Sequence, residues 1–185
     1  MPELPALRGR PKLEFALAAF GLDVEGRTAL DVGAAAGGFT QALLEAGARR
    51  VYAVDAGHGQ LLGVLRQDSR VICCERTNLA DLGPDRITEP LDIVALDLSY
   101  LSLADAIPQL ASLEVTSGAD LVALVKPMFE LRLARAPIDA TSVLRAAGLA
   151  AEGAAAAGWD VRSAVGSPYA GGRGAREAFL HAVWT

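Results

Sequence analysis

Residues 28–55 read TALDVGAAAGGFTQALLEAGARRVYAVD, and this stretch decides the fold. Thr28 to Val32 is a short apolar run ending at a glycine-rich turn, the pattern of a buried strand. Residues 38–46 then carry Phe39, Ala42, Leu43 and Ala46 at helical spacing, and Gly47 stops the helix. Residues 50–54 form a second apolar run that ends at Asp55. Strand, turn, helix and strand in this order predict a parallel unit with a crossover helix.

The alternation continues outward. Strands are expected over 71–74, 92–97 and 120–126, and helices over 60–66, 103–111 and 140–157, with Pro108 delaying or kinking the second of these. Residues 13–20 read as a leading helix. Residues 161–165 and 178–184 read as two closing strands, and the intervening SPYAGGRGAR predicts a hairpin. Near-continuous apolar strands between helices imply an α/β fold, its mainly parallel sheet covered on both faces. The 185 residues form a single domain, with 1–11 as a short basic N-terminal arm.

Composition excludes several classes. Apolar residues make up 52% and charged residues 21%, too apolar for a disordered chain. No apolar run approaches the ~20 residues of a membrane span, and no leader precedes the chain, so a cytoplasmic location is expected. Cys73 and Cys74 are neighbours without a nearby ligand set, which argues against a disulfide and against a metal site. Residues 1–12 and 131–185 each carry +2, whereas 13–130 carry −9. A negative middle rules out uniform coating of a polyanion but leaves room for one basic patch built from the two ends.

In such sheets ligands sit beyond the carboxyl ends of the strands. Asp31 to Gly38, Asp55, Asn78, Asp97 and Lys126 all fall at or just after a strand end. A dinucleotide fingerprint would need Gly at 33, 35 and 38, but position 35 is Ala. Asp31, expected to face the same crevice, would repel a pyrophosphate and suit a cation. Asp55 lies 22 residues after Gly33, the spacing of a carboxylate that grips ribose hydroxyls. An adenosine ligand with a positive, phosphate-free tail is S-adenosylmethionine. The alternative is that Asp31 caps the next helix and the glycines only turn the chain.

One count is independent of pattern. Fifteen of the seventeen basic residues are Arg, and only Lys12 and Lys126 are Lys. Arg serves almost any surface ion pair but cannot release its proton, whereas Lys can.

Residues 12–61 (KLEFALAAFGLDVEGRTALDVGAAAGGFTQALLEAGARRVYAVDAGHGQL), then LRQDSRV, ERTN, DLSYLSL and LVKPMFE, and finally GWDV and SPYAGGRGAREAFL, closely resemble the haemolysin-A (TlyA-type) branch of the FtsJ-like ribosomal-RNA 2′-O-methyltransferases. The resemblance covers most of the chain. It implies a Rossmann-like, seven-stranded methyltransferase sheet, S-adenosylmethionine as donor and RNA, ribosomal RNA or a ribosomal subunit, as partner. It also implies a catalytic Lys-Asp-Lys-Glu set, which falls here on Lys12, Asp97, Lys126 and Glu177. The two lysines of the chain thus land on the two lysine positions. The donor site is assigned to Asp31, Gly33, Ala34, Ala35, Gly37, Gly38 and Phe39 in the turn, Asp55 and Ala56 after the second strand, and Asn78 and Asp97.

The chain departs from the family pattern in several places. Only eleven residues precede Lys12, where the family carries an RNA-binding domain. Met128 replaces the usual Gln, Ala175 stands where Asn is common, and LRLARAPIDAT is shorter than the usual Gly- and Arg-rich stretch. The branch's haemolysin label implies membrane damage, for which the chain offers no segment.

In the expected mechanism Lys126 is the general base or the cation beside a developing alkoxide. Lys12 lowers its pKa by repulsion, Asp97 orients it and Glu177 holds Lys12. The Phe39 ring is read as core, and His58 as bordering the donor pocket. Tyr100 either stacks on a base or lines the crevice. Arg8, Arg10, Arg132, Arg135, Arg173 and Arg176 form a phosphate-contacting rim or ordinary surface charge. Two other functions fit less of the sequence: an N-methyltransferase for a base or amine, and a non-catalytic S-adenosylmethionine or RNA-binding module.

Overall fold

A computed structural model describes residues 7–185. Its strands are β1 (Thr28–Val32), β2 (Arg50–Asp55), β3 (Val71–Glu75), β4 (Leu91–Leu96), β5 (Val115–Val125), β6 (Trp159–Gly166) and β7 (Ala178–Trp184). They form one sheet in the order β3-β2-β1-β4-β5-β7-β6. The first five run parallel to one another. β7 is antiparallel to both β5 and β6, which is the expected C-terminal hairpin. The helices are α1 (Gly9–Phe20), α2 (Gly38–Glu45), α3 (Gly63–Arg66), α4 (Leu103–Ala106), α5 (Pro127–Glu130) and α6 (Ala140–Ala156).

The two-residue period of the strands splits the core into two layers. Ala29, Val51, Ile93 and Val122 face α1 and α2, where they meet Leu13, Leu17 and Leu43. Leu30, Tyr52, Val94 and Leu121 face the other side, where Leu103 of α4 and Ala146 and Ala150 of α6 cover them. All five residues of β1 are buried, as a central strand requires.

Local chemistry sets the ends. α1 stops at Gly21, whose φ of 66° is the left-handed cap that glycine accepts without strain. α6 starts where the Asp139 carboxylate accepts the Ser142 N–H at 2.7 Å. At Pro108 the expected single helix divides: α4 ends at Ala106, and a 3₁₀ helix continues over Ile107–Ser112. α1 begins at Gly9 instead of residue 13, so Arg10 of the expected arm, and Lys12 just after it, lie on a helix. Residues 1–6 of that arm lie outside the described residues.

α1 and α2 cross glycine against glycine. A Cβ on Gly38 would lie 2.8 Å from the Gly9 Cα, closer than packed atoms approach. We expect Gly38→Ala to push α1 off α2 and to destabilise the fold by about 1–3 kcal/mol, the usual cost of overpacking. Urea unfolding measures this, and an unchanged midpoint would show that α1 shifts freely.

Candidate active site

The chain leaves β1 toward β2 and later enters β4 on the opposite side, so the loops after β1 and β4 diverge and open a crevice at the sheet's rim. Gly33, with φ of 88°, rests on the Asp97 carbonyl, which any Cβ at position 33 would strike. That contact fixes the crevice floor. Above it lies a cavity of about 340 Å³. Gly33 and Ala35 line it from the first turn, Asp55 and Ala56 from the end of β2, and Asp97 and Lys126 from the ends of β4 and β5.

The polar groups in this cavity are tightly held. Asp55 Oδ2 accepts the Ala35 N–H at 2.8 Å, and its Oδ1 accepts the Gly57 N–H at 2.7 Å. Each carboxylate oxygen still has a lone pair for a ligand hydroxyl. Lys126 Nζ lies 2.5 Å from Asp97 Oδ1 and donates to Ser99 Oγ at 2.8 Å. The Ser99 contact is a hydrogen bond, and the Asp97 contact is an ion pair.

A second cavity of about 490 Å³ adjoins the first, and Ser99 and Lys126 line both. Its other walls include Met128 and Phe129 of α5, Arg135, Arg173 and Glu177. Glu177 Oε2 lies 2.5 Å from Lys12 Nζ, and both residues are buried. The two lysines of the chain therefore converge on one cavity, Lys126 directly and Lys12 through Glu177. The closed ion pair also leaves Lys12 without an uncompensated charge to act on Lys126.

Six of the expected donor residues do not line the cavity. Asp31 falls on the same face of β1 as Ala29, so it points under the turn toward α2 instead of into the crevice. It is fully buried and accepts a hydrogen bond from Thr40 Oγ1 at 2.6 Å, and burial pushes its carboxyl up to about 7. Ala34 and Phe39 belong to the core, and the Phe39 ring packs on Phe179. Gly37 supports Leu61 and Leu65, and Gly38 supports Gly9. The Asn78 side chain turns outward to Asp81, and its neighbour Thr77 takes the wall position.

The arginines separate in the same way. Arg135 and Arg173 line the second cavity, and Arg176 lines a hollow beside it. Arg10 is spent on Glu14 and Glu45, and Arg8 is exposed ahead of α1. His58 sits 3.5 Å from Glu75, and His181 bonds Asp120 in the body of the sheet.

Two buried-side carboxylates had no distinct signal in the sequence. Glu75 accepts the N–H groups of Gly59, Gln60 and Leu61 at 2.8–3.0 Å, and these bonds hold its carboxyl down at about 2. It thereby fixes the loop that brings Gln60 to the first cavity. Glu130, at the end of α5, accepts the Leu103 N–H at 2.7 Å. It ties α5 to the segment leading out of β4. Burial pushes its carboxyl up to about 7.

Among the described residues no cluster of His, Cys, Asp and Glu could hold a metal ion, and no helix is long and apolar enough to cross a membrane.

Fold and site together define a doubly wound α/β domain with a small-molecule cavity at its switch point and a second, larger cavity alongside. The chain belongs to the FtsJ-like methyltransferase family, which it matches over residues 7–181. It is 42% identical over 182 residues to the 16S/23S rRNA (cytidine-2′-O)-methyltransferase TlyA of Mycobacterium tuberculosis, a match that covers 94% of this chain and 66% of that one. It is 37% identical over 185 residues to YqxC of Bacillus subtilis, a proposed rRNA methyltransferase, covering 96% and 65% of the two. A solved structure of a proposed hemolysin from Streptococcus thermophilus superposes with a TM-score of 0.91 at 36% identity, covering 99% of this chain and 68% of that one. The chain thus spans just under two thirds of the length of these curated relatives.

The raised Glu130 carboxyl has a consequence for stability. Between its ordinary 4.5 and about 7 the folded chain holds the proton that the unfolded chain has lost, so this group makes stability fall as pH rises through that window. Glu130→Gln removes the titration. Urea midpoints at about pH 5 and about pH 7.5 are expected to differ less in the variant than in the wild type.

Proposed function

We propose that the chain transfers a methyl group from S-adenosylmethionine to a ribose 2′-hydroxyl of RNA, with ribosomal RNA as substrate. The observation that carries this reading is the place of Lys126: it is paired with Asp97 and stands on the wall shared by the two cavities. The names of the relatives at 42% and 37% identity support the substrate class.

The first cavity fits the donor. Its volume lies within the ~300–1,000 Å³ range of small-molecule sites. Its rim carries the carboxylates of Asp55 and Asp97, and its one lining cation, Lys126, is already paired. That balance suits a cationic ligand and disfavours a pyrophosphate. Asp55 would take the ribose hydroxyls, Gly33, Ala35 and Ala56 the close backbone side, and Asp97 the cationic end. When bound, S-adenosylmethionine supplies an electrophilic methyl group on a sulfonium.

The chain's own residues then manage the acceptor. Lys126 would act as the neutral amine that accepts the proton of the ribose hydroxyl as that oxygen bonds to the methyl carbon and the methyl–sulfur bond breaks to leave a neutral thioether. Asp97 stabilises the ammonium that results, and Ser99 fixes its direction. Lys12 and Glu177 act as a neutral, buried strut beneath the second cavity. Arg135 and Arg173 offer guanidinium groups to phosphates at its mouth. After Asp97 the chain reads Leu98-Ser99-Tyr100, without the prolines that shape an amine-methylating site.

Lys126→Arg keeps the charge and removes the proton acceptor. It is expected to bind S-adenosylmethionine like the wild type in calorimetry, while methyl transfer falls by about 10²–10⁴. Near-normal turnover by this variant rejects the base role. Mass mapping of the RNA product, showing the methyl group on ribose or on base, tests the acceptor.

A further inference from the structure

A third cleft, of about 290 Å³, also borders α5. Met128 and Phe129 form the ridge between it and the second cavity and line both. Tyr100 in turn lines both this cleft and the first cavity. The three hollows therefore adjoin one another, and the second and third share α5 as a wall. The third adds Asp105, Arg132 and Leu133 to the shared residues.

Its surface is unusual for a rim. Tyr100 is 56% exposed and Leu133 40%, although both are large and apolar in body. Arg132, 82% exposed at its side chain, reaches Asp105 only at 3.6 Å. Its φ of 51° places a non-glycine residue in the left-handed region, in a turn closed by the Leu133 N–H on the Met128 carbonyl at 2.9 Å. The two walls are stapled at two points. Lys126 bonds Ser99 above, and the buried Glu130 carboxylate bonds the Leu103 N–H below. A cleft held open in this way offers flat aromatic and thioether faces beside an exposed, loosely paired guanidinium, the combination that stacks a base and meets its phosphate.

We propose that this cleft holds the nucleotide next to the methylated one on the same RNA strand, its base against Phe129, Met128 and Tyr100 and its phosphate near Arg132. The proposal rests on the ribose-methylation reading. It adds a second subsite to it: the strand crosses the Met128–Phe129 ridge, and the ridge separates the reacting nucleotide from its neighbour.

The test uses ribosomal RNA without the modification, with the methylated position first mapped on wild-type product. Matched RNAs then carry an abasic nucleotide on one side or the other of that position. One of the two is expected to raise KM about tenfold for the wild type. Arg132→Ala and Leu133→Glu, which touch only the third cleft, are expected to raise KM for intact RNA by a similar factor, with kcat and S-adenosylmethionine affinity retained. For these variants the abasic RNA should then carry little further penalty, because the same contact is already lost. If intact RNA is methylated on ribose but both abasic RNAs and both variants behave like the wild type, the subsite is overturned and the transfer reading stands. If intact RNA gains no ribose methyl group at all, the transfer reading falls and takes the subsite with it.

Discussion

At Gly33 the absence of a side chain lets the first turn settle on the carbonyl of Asp97, across the point where the chain's two halves part. Val32 and Asp97 are joined there by a backbone hydrogen bond of 2.9 Å. A larger residue would lift the turn from the end of β4 and separate Asp55 from Asp97 and Lys126. The site depends on this approach because its groups come from three different strands, and only the sheet's register brings them together.

Ionised groups around the site are used in closed sets. Asp97 meets Lys126, Glu177 meets Lys12, and Glu75 meets three backbone N–H groups and Arg66. A buried charge without a partner would cost several kcal/mol, so each of these sets holds its members in one arrangement. The same logic operates at the opposite end of the sheet. There Asp120 accepts from Arg27 at 2.5 Å and lies 2.7 Å from His181 Nε2, binding β5 and β7 to the segment before β1. The rim carries the groups that line the cavities, and the far end carries a cluster that joins strands.

The fold was legible in the sequence because its strands are apolar and its helices periodic. The central strands begin and end within a residue or two of the expected limits. β5 is the exception: it starts at Val115, five residues early, because Thr116, Ser117 and Gly118 are exposed beyond a shift in register with β4 and give no apolar signal. α5 is a single turn, too short to show a period, although Pro127 after an extended Lys126 is a fitting first helical residue. In the site, Asp55, Asp97 and Lys126 were legible as strand-end residues. Asp31 was not correctly placed, because alternation along β1 sends it to the α2 face. The partnership of Lys12 with Glu177 spans 165 positions, and no local pattern reveals it. The scarcity of lysine pointed to Lys12, and only the family resemblance pointed to Glu177.

β7 runs in the reverse direction beside β5 and β6. Because this strand runs against its neighbours, its first residues emerge at the same rim where the parallel strands finish, and Glu177 arrives there from the chain's last quarter. The connection between β6 and β7 thus overhangs the second cavity and contributes nothing to the first. Lengthening or rewriting that connection would reshape the second cavity and leave the lining of the first unchanged, so the two hollows are built on separately adjustable parts of one sheet.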